Sequence, residues 1–192
     1  MTINNLDVLP DDLPVPEDDG GADHLRGGVL PSLALPATDG SMVDLSALPG
    51  RSVVFIYPRT GQPGVAALVE HWNEIPGARG CTPQTRGYLA LAEEFGALDC
   101  RIFGLSTQSS AYQQELVARL ALPFPILSDE ALQLTRALAL PTLQVAGQTL
   151  LKRMSWLVQD GRIVHVCYPV FPPDGNAAAM LAWLQQAPPA VA

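Results

Sequence analysis

Cysteine is scarce in this chain: Cys81, Cys100 and Cys167 are the only three in 192 residues. They are too few and too scattered for a disulfide framework or a zinc site, and such usage fits a reducing compartment. No Cys-x-x-Cys pair occurs, which argues against dithiol exchange of the thioredoxin kind. Histidine is equally sparse, and His24, His71 and His165 show no metal-ligand spacing. There is no Gly-rich phosphate loop, Gly-x-Ser-x-Gly elbow or His-Glu-x-x-His motif. Nothing therefore implies a bound cofactor or metal. A basic stripe for nucleic acid is missing, and no apolar run approaches the length of a membrane span. The N-terminus lacks the basic-then-apolar order of a secretory signal, so a cytoplasmic location is expected.

Positive charge is also short, and unevenly so. The formal net charge is −8, and residues 1–27 account for −6 of it, with seven acids against Arg26 alone. Residues 28–192 carry twelve acids and ten bases. Pro10, Pro14, Pro16, Gly20 and Gly21 share the acidic segment with few large apolar residues. Such a stretch offers little surface to offset its ordering entropy, so residues 1–27 are expected to form a disordered, solvating arm. The folded domain is expected over 28–188, a length that suits one core.

From about Val29 the pattern alternates. Leu33–Leu35 and Met42–Leu45 flank Asp39-Gly40, a hairpin signal. Arg51–Tyr57 is apolar and β-rich enough for a central strand, and Arg101–Ser106 reads as the next. Ser110 and Gln113 form a capping-box pair opening a helix to about Leu120. A short strand at Pro125–Leu127 and a short helix over Asp129–Leu138 follow. Leu150–Gln159 and Arg162–Tyr168 predict two strands joined at Asp160-Gly161, and a last helix runs from Asn176 to about Gln185. Strands alternating with helices, closed by a hairpin, predict an α/β fold with a mixed sheet covered by helices.

The residue that invites chemistry is Cys81, in Arg79-Gly80-Cys81-Thr82-Pro83 ahead of an amphipathic helix bearing Tyr88, Leu91, Ala92, Phe95 and Leu98. Thr82 suits the N-cap and Pro83 the first helical position. A sulfur at a helix entrance meets the positive end of the macrodipole, which stabilises negative charge on it, and Arg79 lies two residues away. That placement suits a nucleophile. It equally suits a small apolar residue packed near a turn, since free cysteine is among the most buried types. Cys100, at the start of a probable core strand, and Cys167, at the end of the last strand, read as structural thiols.

Five segments in order turn this reading into a resemblance. They are a strand ending Tyr57-Pro58, Gly80-Cys81-Thr82 entering a helix, Gly104-Leu105-Ser106-Thr107, Leu122-Pro123-Phe124-Pro125-Ile126-Leu127-Ser128-Asp129, and Lys152-Arg153 ahead of Asp160-Gly161-Arg162-Ile163. Over about residues 29–186 the chain resembles the peroxiredoxins, and within them the Q-type or bacterioferritin comigratory protein group. The resemblance implies a thioredoxin-like fold, with a central mixed β-sheet flanked by helices and an extra N-terminal β-hairpin. It also implies thiol-dependent reduction of hydroperoxides. Cys81 then matches the peroxidatic cysteine, which becomes a sulfenic acid. Arg153 matches the arginine beside the sulfur, whose guanidinium can stabilise the thiolate and donate to peroxide oxygen. Pro58 matches the proline that shields the pocket and Tyr57 the residue before it, and with Thr82 they are expected to support the pocket.

Two departures stand out. The compact Pro-x-x-x-Thr-x-x-Cys loop of the family is absent, because 22 residues separate Pro58 from Cys81 and the position three before the cysteine is Ala78, which has no hydroxyl. Thr60 is the candidate substitute, with Thr82 the other. The inserted segment over 61–79 holds Trp72 and several apolar residues, and two forms are open to it: a short helix acting as a lid or interface, or a surface excursion packed on its own side chains. Where many Q-type members carry a second cysteine five residues on, this chain has Arg86. An intrahelical disulfide is thereby excluded, and a one-cysteine mechanism is expected, with Cys167 or Cys100 as possible resolving partners. The implied partners are a peroxide substrate and a reductant, either a thioredoxin-like protein or a low-molecular-weight thiol, in a monomer or homodimer. Two rival readings are a non-catalytic thioredoxin-fold binding module and a peroxide-sensing redox switch.

Overall fold

A computed structural model describes residues 5–186; residues 1–4 of the expected arm and 187–188 of the expected domain lie outside them. The first hairpin pairs β1 (Ala34–Pro36) with β2 (Met42–Asp44) antiparallel. Its turn contains Gly40 at φ 85°, a conformation that favours glycine. The central sheet is built from β3 (Arg51–Ile56), β4 (Cys100–Ser106), β5 (Ile126–Ser128), β8 (Met154–Gln159) and β9 (Arg162–Cys167) in the order β5-β4-β3-β8-β9. The β3/β4 and β4/β5 pairs are parallel and the β3/β8 and β8/β9 pairs antiparallel, so the sheet is mixed as expected. Because β3 is central and covered on both faces, it is apolar without a break from Val53 onward.

Side chains alternate across that strand and feed two cores. Val53, Phe55 and Tyr57 face the helices α1 (Cys81–Ala90), α2 (Ala92–Ala97), α3 (Ser110–Leu120) and α5 (Asn176–Gln186), packing on Tyr88, Phe95, Leu116 and Met180. Val54 and Ile56 face the other way, into a core with Leu35, Leu105, Trp156 and Leu134 of α4 (Gln133–Ala137). A separate hairpin pairs β6 (Thr142–Val145) with β7 (Gln148–Leu151). With Trp72 and Ala78 its side chains Val145 and Leu150 form a third, smaller cluster.

Several details depart from expectation. The segment Leu150–Gln159 is two strands, interrupted at Lys152-Arg153, where the chain leaves one ladder for another. The helix after Cys81 breaks at Leu91 (φ −108°, ψ 15°) into α1 and α2. Its N-cap is Gly80 at φ 108° rather than Thr82, and α3 is capped by Ser109, which accepts from the Tyr112 N–H at 3.2 Å, one residue before the expected Ser110. The insert forms only a 3-10 turn at Trp72–Glu74. The largest difference concerns the acidic arm. Residues 5–27 lie along the domain, with Ala22 and Leu25 only 3% and 2% exposed in the core beside β9. Lys152 Nζ and the Tyr168 hydroxyl both reach Asp19, at 2.5 and 2.6 Å. Few apolar residues suffice here because those few are inserted among large buried neighbours, while the polar remainder stays at the surface.

Candidate active site

Three elements converge at the carboxyl end of β3. The strand runs into Tyr57 and Pro58, both buried; the Pro58 carbonyl accepts from Ser106 Oγ at 3.2 Å and the Tyr57 hydroxyl donates to Gln113 Oε1 at 2.6 Å. These two residues therefore brace the site from below. Helix α1 starts at Cys81 itself, so the sulfur stands in the first turn, whose N–H groups have no carbonyl within the helix. The stacking of Tyr88 on Phe55, with centroids 4.4 Å apart and planes at 13°, fixes this helix on the strand. From the third direction comes Arg153, displaced inward at the break between β7 and β8 and only 2% exposed.

The guanidinium of Arg153 meets a ring of acceptors. Nη2 lies 3.2 Å from Cys81 Sγ, 3.1 Å from the Gly77 carbonyl, 3.2 Å from that of Ala78 and 3.1 Å from that of Arg79. Nη1 donates to Gln84 Oε1. A buried cation thus sits in contact with the sulfur, with no carboxylate paired to it among the described residues, an arrangement that suits a thiolate. Cys81 is 4% exposed and its thiol is within reach of the Ala78 carbonyl at 3.6 Å.

Above the sulfur is a cavity of about 40 Å³, whose lining includes Cys81, Thr82, Thr60, Arg79, Tyr112 and Trp72, with Leu6, Val65 and Leu68 among its apolar walls. That volume admits a peroxide group or a few waters. Thr60 and Thr82 are therefore both brought to Cys81. The Thr60 hydroxyl donates to Gln108 Oε1 at 3.1 Å, and its backbone N–H does so at 2.8 Å. Its proton is committed to Gln108, so what Thr60 offers the cavity is an oxygen lone pair. Thr82, freed from capping, stands second in the helix.

The other cysteines are not gathered in. Cys100 is register partner to Arg51 at the opposite end of β3, roughly 20 Å down the strand from the site at about 3.3 Å per residue. Burial pushes its thiol up to about 11. Cys167 pairs with Ser155 on the site's side of the sheet and shares the Tyr88 cluster. Tyr88 is seven residues along α1 from Cys81, roughly 10 Å by helical rise. The Cys167 thiol is half-buried, and burial raises its pKa while the neighbouring Asn176 amide opposes that shift.

Sequence reasoning missed the polar network behind the site. Gln84 is wholly buried, and while its oxygen faces Arg153 its Nε2 donates to Asn176 Oδ1 at 3.0 Å. The same oxygen of Asn176 receives the Tyr88 hydroxyl at 2.8 Å and Ser155 Oγ at 2.6 Å. The contacts fix which way the Gln84 amide points, and so where it holds the guanidinium. Gln84 was findable, being three residues after Cys81 on the same helical face; Asn176 carried no local signal. Among the described residues no three histidine, cysteine or acidic side chains converge on a metal position, and no helix is long and apolar enough to cross a membrane.

Comparison with known proteins places this geometry. The family model described as Redoxin matches residues 25–181. A putative chloroplastic peroxiredoxin Q of Oryza sativa subsp. indica is 28% identical over 162 residues, covering 83% of this chain; the chain spans 66% of that relative's length. Peroxiredoxin Bcp of Escherichia coli K12 is 27% identical over 165 residues, covering 83% of this chain and 95% of its own. Among solved structures, peroxidoxin BcpB of Mycobacterium tuberculosis superposes with a TM-score of 0.66 at 23% identity, covering 83% of this chain and 96% of that one. That likeness establishes the thioredoxin-like fold.

Proposed function

The chain belongs to the Redoxin family, and from that membership we propose that it is a thiol-dependent peroxidase of the peroxiredoxin Q type, reducing hydrogen peroxide or organic hydroperoxides at Cys81. The observation that carries the reading is Arg153 Nη2 at 3.2 Å from Cys81 Sγ, at a helix start, under a cavity of peroxide size. The thiolate sulfur attacks the terminal oxygen of the hydroperoxide. A sulfur–oxygen bond forms as the oxygen–oxygen bond breaks, leaving Cys81 as a sulfenic acid and an alkoxide or hydroxide that takes a proton from water. Arg153, in contact with the sulfur, stabilises the thiolate that begins that displacement. Thr60 accepts the peroxide's proton-bearing end as a hydrogen bond, which orients the terminal oxygen toward sulfur.

Resolution comes from outside the active-site helix. Arg86 stands where an intrahelical partner would be, Cys100 is at the far end of the sheet, and Cys167 is two helical turns away. A reductant thiol, from a thioredoxin-like protein or a small molecule, attacks the sulfenic sulfur with loss of water; a second thiol releases the resulting mixed disulfide. A cytoplasmic setting would supply such thiols. The rival readings, a non-catalytic module or a sensor, draw nothing from the relatives and leave a buried cation on the sulfur unexplained.

The test is intact-mass analysis of the reduced protein after one equivalent of hydrogen peroxide, with a sulfenic-acid trap present. Rapid trapping at Cys81, lost in Cys81→Ser and kept in Cys100→Ser, is the expected result. A loss of two protons with Cys81 joined to Cys167 would make resolution internal. No reaction within minutes would overturn the peroxidase.

A further inference from the structure

Arg79 is the residue the site leaves unexplained. It is only 8% exposed and lines the cavity over Cys81. Its own carbonyl is held by Arg153 at 3.1 Å, so the backbone there is fixed. Its Nη2 donates to the backbone carbonyls of Val8, at 3.2 Å, and Asn5. Its Nε–H, also buried, has no partner among the described residues. Asp7, the carboxylate that faces it, is engaged with Arg86 at 2.8 Å. Burial lowers the pKa of Arg79, and the nearby Cys81 and Asp7 pull the other way. A buried donor on a cation is costly to leave unmade. A buried donor without a partner, on a residue that lines the cavity, points to an acceptor brought by the ligand.

The two arginines of the site divide accordingly. Arg153 spends its donors on Gln84, three carbonyls and the sulfur, and its own orphan Nε is buried away from the cavity lining. Meanwhile Ala78, three residues before the cysteine, supplies no hydroxyl. We propose that Arg79 is a second catalytic cation, whose Nε–H donates to the hydroperoxide oxygen that leaves as the oxygen–oxygen bond breaks. The step balances without moving the arginine's proton. The electron pair of sulfur forms the sulfur–oxygen bond, the pair of the broken bond stays on the departing oxygen, and that anion is hydrogen-bonded by Arg79 until water protonates it. The short N-terminal segment over residues 5–9 then has a role, because its carbonyls hold the guanidinium at the cavity.

This inference rests on the peroxidase reading, and the experiment separates the two. In the full chain, the second-order rate of Cys81 oxidation by hydrogen peroxide is compared with its alkylation by iodoacetamide at the same pH, for wild type, Arg79→Gln and Arg79→Lys. Iodoacetamide reports the thiolate but releases iodide, which needs no help from Arg79. For Arg79→Gln, oxidation is expected to fall on the order of 10²-fold, the usual loss for one oxyanion donor, while alkylation stays within about fivefold; Arg79→Lys falls between. With peracetic acid, whose acetate leaves readily, the penalty in Arg79→Gln shrinks to roughly tenfold or less. Oxidation within threefold of wild type, or oxidation and alkylation falling in step, overturns the proposal, the latter because Arg79 would then act on the thiolate or on folding. A wild-type protein whose Cys81 alkylates but is not oxidised removes the peroxidase itself.

Discussion

The floor of the active-site cavity and its roof are built by different means. The floor is β3, the start of α1 and the inward break at Arg153, each tied into the two large cores on either side of the sheet. Phe55 stacked on Tyr88 joins strand to helix, and Arg153 is gripped by three carbonyls and Gln84. The roof is residues 59–79 with the segment over 5–9, a run of turns with one 3-10 turn. It rests on a small cluster of its own, around Trp72, Ala78, Val145 and Leu150, and leaves Val65 57% exposed. Cys81 and Arg153 are thus on elements whose position is over-determined, while Thr60, Arg79 and access to the sulfur belong to a part with fewer anchors. Precision is needed for the displacement, and adaptability for admitting substrate and reductant.

The sharpest way to break this contrast is to disturb the floor. Arg153→Lys keeps a positive charge but has one nitrogen where two guanidinium nitrogens lie within reach of five acceptors. Steady-state peroxide consumption is expected to fall by ~10²–10³-fold, and the midpoint of thermal unfolding to drop as carbonyls 77–79 and Gln84 lose their partner. A variant with near wild-type turnover would show that charge alone suffices and that the network through Asn176 is scaffolding. The matching test of the roof is Trp72→Ala. Truncating a buried tryptophan costs about 3–5 kcal/mol when the whole core feels it. Here the cluster is small and separate, so the expected loss is local: global stability falls by about 1 kcal/mol or less. The apparent KM for an organic hydroperoxide changes several-fold with kcat for hydrogen peroxide nearly kept. A full 3–5 kcal/mol loss in denaturant unfolding would mean that the roof is continuous with the floor.

What could be read from residues alone follows the same division. Val53–Tyr57 declared itself because a strand covered on both faces must be apolar throughout. Asp39-Gly40 and Asp160-Gly161 declared their turns because aspartate and glycine tolerate positive φ, seen at 48° and 75° in the second. Cys81 at a helix start and Arg153 were legible through the order of segments that resembles a peroxiredoxin. The hairpin between β6 and β7 was hidden because its turn places Ala146 at φ 49° ahead of Gly147, and alanine is no turn signal. The break at Lys152-Arg153 was hidden because both flanking strands are apolar, so periodicity runs across it. Gln84 and Asn176 meet across 92 positions, a contact only the tertiary fold creates. The docking of Leu25 was obscured by the composition around it, since an acidic, proline-rich stretch needs only two or three well-placed apolar side chains to be held.

The smallest effect tests how firmly the roof's N-terminal piece is held. Arg86, standing where a Q-type resolving cysteine would be, pairs with Asp7 at 2.8 Å, with side chains 47% and 44% exposed. Two half-solvated charges gain little from each other, about 0–1 kcal/mol, and salt screens much of that. Asp7→Asn is therefore expected to leave unfolding within about 1 kcal/mol of wild type and peroxide turnover within about twofold. The anchoring of residues 5–9 should instead come from Arg79 on the Asn5 and Val8 carbonyls and from Leu6 and Leu9, which lie against Gly61 and Gly80 where a Cβ would meet them at 3.0 Å. Chemical denaturation and initial rates at low and high potassium chloride decide the matter. If Asp7→Asn lowered turnover tenfold, and high salt reproduced that loss in the wild type, the surface pair would be what seats the segment, and Arg86 would have exchanged a redox role for an electrostatic one.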